Sequence, residues 1–166
     1  VQQGCLYPMG IKAIICDIEG TTTSSHFIRE VLFPYATARL DDYVRTHQHA
    51  PEVARQLAEV RRITRKDLDL DGAIERLLRW SREDRKLKPL KDLQGMIWEQ
   101  GYREGDYSGH LYPDVAPNLR QWRARGIRIY LFSSASVHAQ RLLFTCSEKR
   151  DLSYILAGCF DTDIGA

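Results

Sequence analysis

The sequence has 166 residues, which suits one domain or a core carrying a smaller insert. Hydrophobic residues make up 43% and charged residues 28%, a globular balance that needs no disulfide or metal staple to explain folding. The net charge of +2 is too small to suggest a nucleic-acid binder by itself, and no apolar run approaches the length of a membrane-spanning helix. The four cysteines, Cys5, Cys16, Cys146 and Cys159, show neither C-x-x-C nor metal-ligand spacing, and none has an arginine six positions later as a cysteine-phosphatase loop requires. With no secretory signal in view, the expected setting is the reduced cytoplasm.

Residues 1–10, VQQGCLYPMG, carry no pattern and read as a leader, with Met9 offering an alternative start. Residues 11–16, IKAIIC, predict a short buried strand that ends abruptly at Asp17, Glu19 and Gly20. Ser24 or Ser25 then caps a helix whose apolar positions Phe27, Ile28, Val31, Leu32 and Tyr35 recur at helical spacing. Pro34 should kink or restart it, because proline lacks the ladder donor, and the pattern resumes through Leu40, Tyr43 and Val44. Further helices are predicted from Pro51 through PEVARQLAEVRRI, over 70–83, and over 89–103, so residues 25–105 read as wholly helical. Arg79, Arg82, Arg85, Lys86, Lys88 and Lys91 bunch in this stretch around Glu83 and Asp84. They read as a solvated helix end, the sharper alternative being a surface that attracts an anionic substrate.

The pattern changes after GDYSGHLYPD. Residues 113–125 form an amphipathic helix stopped by Gly126, and IRIYLF at 127–132 predicts a second buried strand ended by SSAS. SVHAQRLLF reads as a helix, and YILAGCFD as a turn of helix followed by a third strand. Strand, helical insert, helix, strand, helix, strand is an α/β order with parallel strands and a helical cap inserted in the core.

In an open parallel sheet, ligands sit beyond the carboxyl ends of the strands. Two strands here end in polar clusters, Asp17-Ile18-Glu19-Gly20-Thr21 and Ser133-Ser134-Ala135-Ser136, so both should meet in one crevice. A spacing of two keeps Asp17 and Glu19 on one side if extended geometry persists, and Gly20 lets the backbone turn tightly. Two carboxylates beside hydroxyls suit a phosphoryl site with a divalent metal. One acid attacks phosphorus, and the other moves a proton to the leaving oxygen and from water. Magnesium prefers such hard oxygen ligands. The plainer alternative is that Asp17 caps a turn and Glu19 is merely solvated. A D-x-[DE]-G-[TV] match arises by chance in roughly one chain in a hundred of this size. The flanking strand and the later serine-ended strand lower that further.

These residues resemble a family. D-x-[DE]-G-T after a strand resembles the first motif of the haloacid dehalogenase (HAD) superfamily of phosphohydrolases, and the strand ending in Ser133 resembles its second motif. The glutamate of DIEGTT, together with VLFPYA, LQGMIWEQGY, HLYPDVAP, SSASVHAQRLLF and GCFDT, is similar to the enolase-phosphatases of methionine salvage, over residues 11–166. The resemblance implies a HAD-like Rossmannoid sheet core (11–23 and 110–166) with an all-helical cap (24–109). It also implies a Mg²⁺-dependent enzyme that enolises 2,3-diketo-5-methylthiopentyl-1-phosphate and then hydrolyses the phosphate through an aspartyl-phosphate. By position, Asp17 is the nucleophile and a metal ligand, and Glu19 the acid/base and a second metal contact. Ser133 and Ser134 hold the phosphate, with Thr21 beside them. The expected partner is the small phosphorylated diketone, with no nucleic acid and no membrane, and a complete chain is expected to be a monomer. The alternatives are another small-molecule phosphatase of the superfamily, selected by cap residues 86–102, or a catalytically inactive N-terminal fragment.

Two departures stand out. Ala135 occupies the place where the family usually has glycine, and alanine tolerates positive φ poorly. The chain ends at FDTDIGA, before the third motif's phosphate-binding lysine and the fourth motif's acidic metal ligand, and no lysine follows Lys149. A chain of this extent is therefore expected to show little or no activity alone, with the edge of its first strand bare. Among the remaining residues, His47 and His49 do not face each other on a helix and make no metal pair. His110 reads as a hinge residue at the cap–core junction, the alternative being a substrate contact, and His26 and His138 read as exposed helix positions, the alternative being an approach to the phosphate. Trp80, Trp98 and Trp122 read as core, and Cys16 as a small buried hydrophobe.

Overall fold

The computed structural model describes residues 10–164; the proposed leader, with Cys5 and Met9, lies outside them. Among the described residues three parallel strands form one sheet in the order β1 (Ala13–Cys16), β2 (Arg128–Phe132), β3 (Leu156–Phe160). Between β1 and β2 the chain is helical: α1 (Phe33–His47), α2 (Pro51–Thr64), α3 (Leu70–Arg82) and α4 (Lys88–Glu104), then α5 (Val115–Ala124). After β2 comes α6 (Val137–Thr145), and a single 3₁₀ turn, Ser153–Ile155, leads into β3. This is an α/β fold, a parallel sheet with a helical insert between its first two strands. No helix among the described residues is long and apolar enough to cross a membrane.

The proline expectations hold, each for a local reason. Phe27–Leu32 winds as a wide π-helix, and Pro34 falls in the first turn of α1, where its missing N–H costs nothing. Pro51 and Pro89 take the same place in α2 and α4. Asp69 caps α3 by accepting from Gly72 N at 2.8 Å, and Gly105, at φ +77°, ends α4. The helices bury one another's apolar faces through Leu40, Val44, Val60, Leu77, Leu93 and Ile97. Trp80 and Trp98 are buried as expected, with Trp98 Nε1 donating to Leu32 O at 2.6 Å, whereas Trp122 is half-buried at the margin.

The expectation of fully buried strands fails. Ile129 and Leu131 are completely buried, but Ile15 is 68% exposed and Phe132 and Phe160 remain open to solvent. Parallel sheets read as apolar on both sides because helices ordinarily cover both. Among the described residues the helices cover one face only, which leaves the Ile15 side and the outer edge of β1 open. On that open face Tyr130 and Phe160 stack with ring centroids 5.8 Å apart.

The helical insert returns to the core at Gly109, which pairs with Ser147 after α6 through Gly109 N→Cys146 O (2.9 Å) and Glu148 N→Gly109 O (3.0 Å). A Cβ at Gly109 would stand 2.5 Å from the Leu143 carbonyl oxygen, so backbone must move to admit any side chain. Gly109→Ala should therefore lower stability by about 1–3 kcal/mol in urea denaturation. Gly95→Ala, inside α4 with nearest neighbours at 3.5 Å, should be neutral or stabilising by up to about 1 kcal/mol.

Candidate active site at the strand ends

The segment after β1 folds on itself. The N–H groups of Thr21, Thr22 and Thr23 all point at Ile18 O (3.2, 3.0 and 3.0 Å), and Gly20 N donates to Thr23 O at 2.8 Å. Gly20 has φ +76°, so the tight turn read from the sequence is one that favours glycine. Thr22 Oγ1 adds bonds to Asp17 O and Ile18 O (3.2 and 3.3 Å). Burial alternates along this segment: Asp17 is exposed, Ile18 is buried and Glu19 is exposed. Both carboxylates are thus open to solvent, although the extended geometry that would align them gives way to the turn around Ile18 O. Glu19 Oε1 accepts from Arg29 Nε at 3.1 Å, an arm from the start of the helical insert. Cys16, behind Asp17, is half-buried, and burial raises its thiol pKa, which disfavours the nucleophilic thiolate.

The second cluster is built where β2 ends. Ser133 N donates to Phe160 O at 3.2 Å, extending the β2–β3 ladder by one rung, and Ser133 Oγ accepts from Ala135 N at 3.2 Å. Ser136 caps α6 by accepting from Ala139 N, and Asp161 Oδ2 accepts from Val137 N. Gln140, buried beneath the loop, donates through Nε2 to both Ala135 O and Phe160 O (2.9 and 2.8 Å), while its Oε1 has no partner among the described residues. Ala135 is not among the residues with positive φ, so the loop closes without the glycine the family usually carries there. Sequence reasoning missed Asp161 and Gln140 as the supports of this loop.

The helical insert lies over the serine loop and reaches Glu19. The chain leaves the core at Thr23–Ser24 and returns beside it, with Tyr112 N donating to Thr22 O at 3.1 Å. His110 bridges the two crossings: Ser24 N donates to Nδ1 at 3.2 Å, and Thr23 Oγ1 lies 3.1 Å from the same nitrogen. A backbone N–H can only donate, so Nδ1 is the acceptor and the ring proton sits on Nε2. His138, exposed as expected, pairs with Glu99 of α4 at 2.9 Å. His26 is exposed, and His47 turns to the Tyr43 carbonyl (2.8 Å) rather than toward His49.

Glu19, Ser133 and Ser134 line one cavity of about 70 Å³, roofed by Phe33, Lys91 and Trp98. Asp17 and Thr21 are exposed on the adjoining segment and do not line it. Pockets for small ligands usually measure about 300–1,000 Å³. The cavity is narrow beneath α4 and opens toward the exposed Glu19 side chain. Lys91, read from sequence as part of a solvated cluster, is only 6% exposed and faces the cavity. The periodic signal was present, since Lys91, Gln94, Gly95 and Trp98 share one face of α4.

A family model of haloacid dehalogenase-like hydrolases matches residues 11–165, and the chain belongs to that family. It is 54% identical over 158 residues to Enolase-phosphatase E1 of Pseudomonas aeruginosa strain UCBPP-PA14, covering 95% of this chain and 70% of the relative. It is 52% identical over 157 residues to Enolase-phosphatase E1 of Hahella chejuensis, covering 94% and 67%. The crystal structure of the UTR4 protein of Saccharomyces cerevisiae superposes with a TM-score of 0.74 at 28% identity, over 93% of this chain and 68% of that one.

His110→Phe should keep the ring packing but orphan the Ser24 N–H, lowering stability by about 1–3 kcal/mol in urea denaturation. Arg29→Ala, which breaks an ion pair whose side chains are 72% and 40% exposed, should cost less than about 1 kcal/mol.

Proposed function

We propose that this protein is a Mg²⁺-dependent enolase-phosphatase that acts on 2,3-diketo-5-methylthiopentyl-1-phosphate in L-methionine salvage. Residues 24–109 serve as the cap, and residues 11–23 and 110–166 as the core. The observation that carries the reading is the D-x-E-G-T turn at the end of β1 beside the serine loop at the end of β2, under a helix of the insert. The likeness to relatives named Enolase-phosphatase E1 supports it and narrows the substrate.

In this mechanism the Asp17 carboxylate attacks phosphorus as the ester P–O bond breaks, giving an aspartyl-phosphate. Glu19 gives its proton to the departing oxygen. It then takes a proton from the water that attacks the aspartyl-phosphate, releasing inorganic phosphate and restoring Asp17. Ser133 and Ser134 hold the phosphate oxygens, with Thr21 beside them. Enolisation precedes this and needs a proton moved beside a carbonyl. Glu19 is assigned that transfer because it is the motif's carboxylate that lines the cavity. The closed insert excludes water from the diketo end.

The donor set fits magnesium, which binds through one or two hard carboxylates and keeps several waters. Asp17 would supply one such carboxylate, and the Glu19 position a second contact. Among the described residues no group of three or more His, Cys, Asp or Glu side chains forms a fuller cage. When bound, the ion supplies positive charge that offsets the charge of the phosphoryl group.

The test uses protein expressed from its complete reading frame, with release of inorganic phosphate as the readout. Asp17→Asn should abolish turnover, and Glu19→Gln should lower kcat by about 10²–10⁴-fold with little change in KM. Chelation should stop the reaction, and added Mg²⁺ should restore it. Full activity in Asp17→Asn would refute the assignment.

A further inference from the structure

Lys91 stands apart from the basic residues around it. Arg82, Arg85, Lys86 and Lys88 are exposed, whereas Lys91 is buried where α4 crosses the strand ends. That crossing is close: a Cβ on Gly95 would stand 3.6 Å from Ser136 Oγ and 3.5 Å from His138 Cδ2. Lys91 lies one helical turn before Gly95 on the same face. Its side chain therefore reaches across the ends of β2 and β3.

The amine there is under-compensated. Lys91 Nζ donates to Thr162 Oγ1 at 3.2 Å, just beyond β3. Among the described residues its nearest carboxylate, Asp163 Oδ1, is 3.9 Å away, at the limit of an ion pair, and Lys88 engages the same side chain at 3.5 Å. A lysine amine carries three donors, and burying its charge is unfavourable unless good acceptors replace water. One neutral hydroxyl and a distant, shared carboxylate do not meet that demand. The open direction is the cavity that Lys91 lines together with Glu19, Ser133 and Ser134.

We propose that Lys91 is a substrate-binding residue, a cation carried by the helical insert that contacts the phosphate oxygens of a monoester held at Ser133 and Ser134. The inference rests on the reading of those serines as a phosphate cradle and adds a partner from the opposite wall. An anionic phosphate oxygen is a stronger acceptor for a buried amine than the neutral carbonyl at the other end of a diketone. Because Lys91 belongs to α4, a phosphate gripped between it and the serine loop ties the insert to the sheet. Phosphate binding then favours the closed arrangement, as any ligand favours the state in which it makes more contacts.

The test is a calorimetric titration of the protein with inorganic phosphate in the presence of Mg²⁺, comparing wild type with four variants. Lys91→Met removes the charge, Lys91→Gln removes it while keeping a donor for Thr162, and circular dichroism verifies folding of each. Both should weaken phosphate binding by about ten- to a hundredfold, while Lys88→Met, which loses an exposed amine on the same aspartate, stays within about threefold. Wild-type affinity in either folded Lys91 variant overturns the proposal, as does an equal loss in Lys88→Met, which would mark general surface attraction. Ser133→Ala separates the two levels. If wild type binds no phosphate, or Ser133→Ala binds it unchanged, the cradle reading fails and Lys91 with it. If Ser133→Ala loses binding and Lys91→Met does not, only the Lys91 assignment fails.

Discussion

The parallel pairing of β1 with β2 sets the positions of both polar clusters. Cys16, the last residue of β1, lies opposite Leu131, so Asp17 leaves the strand one residue before β2 ends at Phe132 and Ser133 follows. A slip of one residue would exchange the faces of the strand and separate the acids from the serines. Burial fixes which face β2 turns to the helices, through Ile129 and Leu131, and Ser133 N on Phe160 O carries the β2–β3 ladder past the end of β2. Neither cluster needs long-range side-chain bonds to reach the other. Each sits where its strand stops.

The tight turn at 17–23 and the crossing of α4 then divide the work. Three threonine N–H groups on one carbonyl, with Gly20 at positive φ, make the acid-bearing segment compact and self-supporting. The opposite wall is α4, which meets the core through Lys91, the Gly95 face and the His138–Glu99 pair, while His110 receives the Ser24 N–H where the insert leaves and rejoins the core.

Much of this was legible in the sequence. The D-x-E-G-T turn, the serine-ended strand, the proline-started helices and the 3₁₀ turn before β3 are local features, dictated by residues adjacent in the chain. Three other features are products of tertiary packing. IKAIIC and IRIYLF look buried on both faces because, apart from Lys12 and Arg128, their composition is apolar. Which face is covered depends on where the helices land, and here they land on one. Lys91 looked like its charged neighbours, since charge dominates the local pattern. Its burial follows from the phase of α4 against the loop at 133–136. Asp161 and Gln140 carried no motif, and their capping and bridging roles exist only because β3 ends beside β2.

Capture of the phosphoryl group on Asp17 tests the central claim most directly. Glu19→Gln protein, expressed from its complete reading frame, would be mixed with Mg²⁺ and p-nitrophenyl phosphate. That leaving group needs little acid assistance, so the covalent intermediate accumulates when Glu19 can no longer activate water. Borohydride reduction converts an aspartyl-phosphate to homoserine, which mass spectrometry locates in the peptide spanning residues 11–25. Homoserine at position 17, absent when substrate is omitted, is the result the account predicts. p-Nitrophenol release with Asp17 unmodified, or a phosphoryl group trapped on another residue, would contradict it.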